Sequence, residues 1–181
     1  MTDQEERLNE KLLVLRCQTG DEDAYRELVS RFGPRLHYFL RKLAARTDRA
    51  DDLVQEVWVD VLRQLPRLND VGAFRTWLYR IAHGKAMHDC RQICRKPETT
   101  LDVEQIAGPE EGSFAQEDAA RIHLALDQLE PAQREVLVLR FLEELSYDEI
   151  SHLVECPTGT VRSRLHYAKA HLRRILECES K

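Results

Sequence analysis

The stretch that constrains this chain most is Leu145 to Ile175, where two helical apolar patterns follow one another across Cys156, Pro157, Thr158 and Gly159. In the first, Tyr147, Ile150, Leu153 and Val154 recur at spacings of three and four, a one-sided apolar face. In the second, Val161, Leu165 and Ala168, then Leu172 and Ile175, take the buried side. Arg162, Arg164, Lys169, Arg173 and Arg174 stand between them, and no acidic residue occurs from Thr158 to Arg174. Pro157 cannot extend the first helix, because it has no N–H and its ring clashes with the preceding turn. It can sit in the first turn of the next, where Thr158 or Thr160 is placed to cap free amides. Ser151 is small where the two helices approach. Two short helices joined by a tight turn, the second basic, form the helix-turn-helix layout that sets a helix into the DNA major groove. An ordinary helical hairpin with a solvated basic face is the competing reading.

A net charge of −5 over 181 residues argues at first against a nucleic-acid partner. The charge is segregated, however: Glu98 to Asp118 holds seven acidic residues and no Lys or Arg, while the helix after Thr158 is purely basic. Binding follows the local field and the phosphates it neutralises, not the whole-chain sum. At 43% hydrophobic and 33% charged, the chain reads as a soluble globular protein. No apolar run reaches the length of a membrane span, and the acidic start MTDQEERLNEK is unlike a signal peptide. A cytoplasmic protein without membrane insertion is expected.

Helical periods fill the rest. Leu8, Leu12 and Leu15 mark a first short helix that stops near Gly20. Asp21 opens a second, with Ala24, Tyr25, Leu28, Val29 and Phe32 on one side; Gly33-Pro34 is expected to kink or break it before Leu36, Phe39, Leu40 and Leu43. Asp48 starts a third, with Leu53, Val54, Val57, Trp58, Val61, Leu62 and Leu65 as a wide stripe closed by Pro66. A fourth runs from about Val71 to Arg95 and buries Phe74, Trp77, Leu78, Ile81 and Ala82. The aperiodic acidic segment that follows reads as a linker. A second helical block then includes Ala125, Leu126 and Leu129, and Val136 to Phe141 with Pro131 in the first turn. The fold class expected is all-α: two small helical domains, residues 1–96 and 118–181, joined by a flexible acidic linker over 97–117.

Three segments carry a resemblance. DRADDLVQEVWVDVLRQLPRL at 48–68 and GAFRTWLYRIAHGKAMHDCRQ at 72–92 resemble region 2 of bacterial sigma factors. LDQLEPAQREVLVLRFLEELSYDEISHLVECPTGTVRSRLHYAKAHLRRIL at 126–176 resembles their region 4. With no region 1 or 3, the chain is similar to the extracytoplasmic-function (ECF) group of the sigma-70 family. DDLVQE, FRTWLYRIA and GTVRSRL, in that order, are jointly specific. The resemblance implies a factor that binds core RNA polymerase, directs it to promoters through minus-10 and minus-35 elements, and helps open the duplex. An anti-sigma protein is an expected further partner.

The resemblance also distributes roles. On the third helix, Asp51, Asp52, Gln55, Glu56 and Arg63 lie on or beside the face away from the apolar stripe, and by resemblance they grip a coiled coil of the largest polymerase subunit. On the fourth, Arg75, Arg80, Lys85, Arg91 and Arg95, interleaved with Tyr79, His83 and His88, offer cations for phosphates and rings for stacked bases, which suits single-stranded DNA. By resemblance this helix reads the minus-10 element and captures a base turned out of the strand. The family often has a polar residue such as Asn where Gly84 stands, and more Arg or Lys where His88-Asp89-Cys90 stands. In the C-terminal block, Thr160, Arg162, Ser163, His166 and Tyr167 match minus-35 positions, while Arg164 and Lys169 hold phosphates or pack by their stems. Tyr167 stands where Arg is common, and a phenol cannot make the bidentate contact to guanine that Arg makes.

No nucleophile–base spacing, phosphate-binding glycine loop or paired zinc motif is present, so no catalysis, cofactor or metal is expected. Five cysteines are an odd number and argue against a disulfide framework. His83, Cys90 and Cys94 share a helix face at spacings of seven and four, which leaves open a redox or metal role beside that of small buried cysteines. A stand-alone repressor or activator would account for the helix-turn-helix alone.

Overall fold

The computed structural model describes residues 3–44, 46–95 and 114–178, with the side chains of Asp3, Thr47, Cys94, Arg95 and residues 114–120 outside that set. Every regular element among them is helical: α1 (Asp3–Gln18), α2 (Glu22–Leu43), α3 (Ala50–Gln64), α4 (Phe74–Arg95), α5 (Phe114–Asp127), α6 (Pro131–Phe141), α7 (Tyr147–Leu153) and α8 (Thr158–Cys178). Short 3₁₀ turns at Thr47–Arg49, Leu65–Arg67 and Val71–Ala73 join α2 to α3 and α3 to α4. The expected linker lies outside the described residues up to residue 113. From Phe114 the chain is already helical, so the last residues assigned to the linker belong to α5.

Local chemistry sets the boundaries. Gly20 takes φ +87°, which a side chain disfavours, and Asp21 then caps α2 by accepting from the Ala24 amide at 2.9 Å. Pro34 sits inside α2 without breaking it. Of the expected kink or break, the break does not occur: Phe32, Leu36, Phe39 and Leu40, on both sides of the proline, are buried in one core. Pro131 opens α6 as expected. At α7, Ser146 and Glu149 form a reciprocal capping box.

The core differs from the sequence pattern at four places. Helix α1 buries Leu13 and Val14 and leaves Leu8, Leu12 and Leu15 at 46–58% exposure. On α3, Leu53, Val57, Trp58 and Val61 are buried, whereas Leu62 is exposed, so the stripe is narrower than its spacing suggests. Trp77 and Ile81 on α4 are only partly buried. Tyr79 is fully buried, its ring edge-on to Phe39 with centroids 5.0 Å apart.

The N-terminal four helices and the C-terminal four share one apolar core, with α6 against α2 and α7 against α4. Polar contacts stitch the junction. Lys42 of α2 donates to Asp127 at 2.5 Å and to the His123 carbonyl at 3.1 Å. The Tyr38 hydroxyl lies 2.7 Å from His123 Nδ1. Arg134 of α6 donates to the Lys42 carbonyl on one side and to the Asp127 and Leu129 carbonyls on the other. On α4, Thr76 donates to Glu149 at 2.8 Å and His83 meets Glu135 at 2.5 Å. The two halves are thus packed together, a relationship that the expectation of separate tethered domains did not include.

Candidate nucleic-acid and polymerase surfaces

The turn between α7 and α8 is built from its own backbone. Val154 donates to Ile150, Cys156 donates to Ser151 at 3.1 Å, and the Ser151 hydroxyl donates back to the Cys156 carbonyl at 2.7 Å. The small residue at 151 therefore ties the turn as well as clearing space. Glu155 takes φ +51°, a left-handed step that the sequence did not signal with glycine. Pro157 lies just before α8, and its carbonyl accepts from Thr160 and Val161. Thr158 does not cap by accepting an amide; its hydroxyl donates to Asp148 at 3.2 Å and links the two helices.

Along α8, Val161, Leu165 and Ala168 are buried, and this leaves Arg162, Ser163, His166, Tyr167 and Lys169 exposed. The Arg162 guanidinium lies 5.9 Å from the Tyr147 ring centroid, an aromatic floor from the preceding helix that sequence reasoning missed. His166 and Tyr167 meet edge-on with centroids 5.5 Å apart, and Tyr167 is 63% exposed. Thr160 and Arg164 are half-buried, and Arg164 donates to the Cys156 sulfur at 3.7 Å. Arg164 therefore packs against the turn.

On α3 the structure brings Asp51, Asp52, Gln55, Glu56 and Arg63 to one exposed face. A shallow groove of about 460 Å³ runs along it. Arg49 bridges Asp52 at 2.7 Å and Asp89 at 3.3 Å, and His37 reaches Asp51 at 2.9 Å. Lys85 of α4, expected on the minus-10 surface, instead enters this groove and pairs with Asp60 at 2.9 Å and Glu56 at 3.4 Å. Asp60, more than Glu56, holds its ammonium charged by raising its pKa. Val59 and Leu62 are exposed on the same helix and give the polar face an apolar component. Their exposure was hidden because Leu62 fits the buried spacing.

Helix α4 separates its expected DNA residues. Arg80, His88 and Arg91 are exposed and, with exposed Gly84 between them, recur at steps of four, four and three along one edge. The Arg95 side chain lies outside the described residues. Arg75 is 17% exposed and pairs with Glu10 at 2.9 Å and Glu144 at 3.6 Å. Tyr79 does not stack on bases in this arrangement: it falls beside Leu78 and one turn before Ala82, on the core side, and burial raises its pKa strongly. The His83, Cys90 and Cys94 group lies partly outside the described side chains. His83 turns to Glu135, Cys90 donates to the Leu43 carbonyl at 3.8 Å, and the Cys94 side chain is outside the described set. Among the described residues no three His, Cys, Asp or Glu side chains are grouped to hold a metal.

Comparison with known proteins gives these surfaces a context. Residues 28–96 match the family described as Sigma-70 region 2, and residues 119–172 match Sigma-70, region 4. The RNA polymerase sigma-H factor of Pseudomonas aeruginosa is 32% identical over 178 residues, covering 91% of this chain and 92% of the relative. The ECF RNA polymerase sigma-E factor of Escherichia coli is 32% identical over 177 residues, with the same shares covered. Among solved structures, that of CnrH in complex with the cytosolic domain of CnrY matches with a TM-score of 0.64 at 25% identity, over 93% of this chain and 97% of that one. The sigma factor RpoE of Bartonella quintana, solved with the anti-sigma factor NepR, shares the fold at a TM-score of 0.70 and 22% identity, over 84% of this chain and 96% of that one. The chain belongs to the ECF group of the sigma-70 family. It has the two regions with which such factors direct RNA polymerase to promoters and initiate transcription.

Proposed function

We propose that the protein is a non-catalytic initiation factor in which residues 1–96 bind core RNA polymerase and the minus-10 element, and residues 118–181 bind the minus-35 element. The single observation that carries this division is that α3 and α8 each keep an exposed functional face. Helix α3 packs on α2 and α4, while α8 packs on α5, α6 and α7. Asp51, Asp52, Gln55, Glu56 and Arg63, joined by Val59 and Leu62, form a mixed surface suited to a helical partner with basic side chains. Arg162, Ser163, His166 and Tyr167 reach base edges, and Lys169 holds phosphate. Arg80, His88 and Arg91 form the minus-10 edge of α4, with Arg95 continuing the four-residue step.

The site of action is the cytoplasm, where polymerase works; no described helix is long and apolar enough to cross a membrane. An anti-sigma protein is the expected inhibitor: the sigma factor RpoE of Bartonella quintana is solved with the anti-sigma factor NepR, and CnrH with the cytosolic domain of CnrY. The test is reconstitution: purified protein is added to core polymerase and a randomised promoter library. Discrete transcripts sharing two spaced elements are expected. Duplex binding without core association or transcripts would favour a stand-alone regulator.

A further inference from the structure

The loop between α6 and α7 is held rigidly. Leu142 and Glu143 both donate to the Val138 carbonyl, Leu145 donates to Leu139, and Arg140 donates to the Leu145 carbonyl at 2.9 Å. Glu144 takes φ +59° and completes the turn. This geometry drives the Glu143 side chain inward, where the residue is 1% exposed. Both of its carboxyl oxygens and the Tyr79 hydroxyl beside them are buried, and no well-aligned hydrogen bond joins them, although the hydroxyl stands close enough to favour the carboxylate. The surrounding charged and titratable groups are Tyr79 and Arg75 of α4, Arg35 of α2, and Glu144 of its own loop. Burial is the largest influence on this carboxyl and raises its pKa, ahead of the opposing pull of Tyr79, Arg35 and Arg75.

A carboxyl so placed opposes the packing that buries it. Leaving a buried polar group unsatisfied forfeits its hydration, and the penalty is larger if the group is charged. The packed arrangement also cannot span a promoter. Elements named minus-10 and minus-35 lie about 25 base pairs apart, roughly 85 Å along B-DNA at about 3.4 Å per pair. A compact chain of this length has a radius of gyration of about 16 Å and is about 40 Å across. Engaging both elements therefore requires the halves to part, and parting returns Glu143 to water.

We propose that Glu143 is a built-in opening device, a carboxyl buried without a well-aligned hydrogen bond at the junction of the two halves that keeps their packing only marginally favoured. The effect on conformation stands on geometry alone; its effect on transcription rests on the initiation-factor reading above. The contact it opposes is the one made by Lys42 with Asp127, Thr76 with Glu149 and His83 with Glu135.

Single-molecule energy transfer tests this on the full chain, with dyes placed by amber suppression at exposed Glu22 in the N-terminal half and exposed Glu177 in the C-terminal half. The unaltered protein at pH 7.5 (about neutral, well above an ordinary carboxylate pKa) should show two exchanging populations. Glu143→Gln and Glu143→Leu should each raise the closed-to-open ratio roughly tenfold, within the range for relieving an unsatisfied buried charge. A single population in the unaltered protein would overturn the proposal, and that observation needs no variant to fold. An unchanged ratio, or a shift toward open, in folded variants would overturn it as well. Transcription with core polymerase and a library-selected promoter is measured in parallel, and slower initiation by both variants is expected. A shifted ratio with no transcripts from any of the three proteins supports the device while counting against the initiation-factor reading, whereas a shifted ratio with unchanged initiation would overturn the device's effect on transcription.

Discussion

The Lys42 ammonium, 4% exposed, sits 2.5 Å from the Asp127 carboxylate and joins the last turn of α2 to the last residue of α5. It is the most buried cation of any ion pair described across the junction, and Asp127 itself is half-exposed. Asp127→Ala would leave the ammonium buried with only the His123 carbonyl as acceptor. We expect a loss of about 1–2 kcal/mol, below the range for a fully buried pair because water reaches Asp127. Lys42→Met should be close to neutral, since it removes charge and desolvation together. Urea midpoints of the three proteins check both outcomes.

His123 gives the junction a pH dependence. Burial lowers its pKa below the ordinary imidazole value, and the neighbouring Lys42 and Arg41 charges lower it further against the pull of Asp127. The packed form therefore favours the neutral ring, whereas an exposed ring protonates near 6.5. The contribution is fully present above that value and is lost as pH falls below it. An NMR titration of His123 should give a midpoint below 6.5, moving upward in Lys42→Met. A midpoint unmoved by that substitution would count against the assigned cause.

Ser146→Ala removes one half of the box at the start of α7 and should lower stability by about 1 kcal/mol. For a chain of this size that is a fall of about 2–4 °C in Tm. Minus-35 duplex binding should weaken alongside, because α7 supports the α8 turn through Asp148 and Thr158. Calorimetry and fluorescence anisotropy read the two effects separately.

Charge reversal on α3, Asp52→Lys with Glu56→Lys, should weaken core polymerase binding by roughly tenfold or more through like-charge juxtaposition. Binding of an isolated minus-35 duplex should be unchanged, since neither residue belongs to the C-terminal half. Equal loss in both assays would point to general misfolding instead.

At the other surface, Arg162→Ala should reduce minus-35 affinity by about 1–3 kcal/mol if it reads a base edge. Tyr167→Arg should move the selected sequence toward guanine, because a guanidinium can bond both acceptors of its major-groove edge. Selection from randomised duplexes by the two proteins measures the change. An identical consensus before and after would remove Tyr167 from the specificity set.

How far the sequence revealed these surfaces depended on whether the determining forces were local. Helix existence and the turn at Pro157 follow from apolar period and backbone chemistry within a few residues, and both are found where they were expected. Exposure on α3 and α8 also follows from period, except where Leu62 matched the buried spacing but faces outward. Tyr79, an aromatic among arginines, has the pattern of a base platform, while its position beside Leu78 places it in the core. Continuity of α2 through Pro34 depends on burial of Phe32 and Leu36 by other helices, which the local rule for proline does not contain. The junction was illegible for a similar reason. Tyr38, Lys42, His123 and Asp127 are ordinary surface-type residues in their own windows and acquire partners only about eighty positions away.

Arg134 gives the junction a further meaning. Its guanidinium lies between the carboxyl ends of two helices, reaching the Lys42 carbonyl of α2 and the Asp127 and Leu129 carbonyls at the end of α5. Both ends carry the negative pole of a helix, so this guanidinium, with the Lys42 ammonium beside it, offsets two poles that would otherwise repel. Were the halves to part, Arg134 would remain with its own half and the Lys42 carbonyl would lose this donor. Water would then take over that carbonyl at an already terminal turn, and such turns fray. Separation would thus loosen the end of α2, just before the Thr47–Arg49 turn that leads into α3.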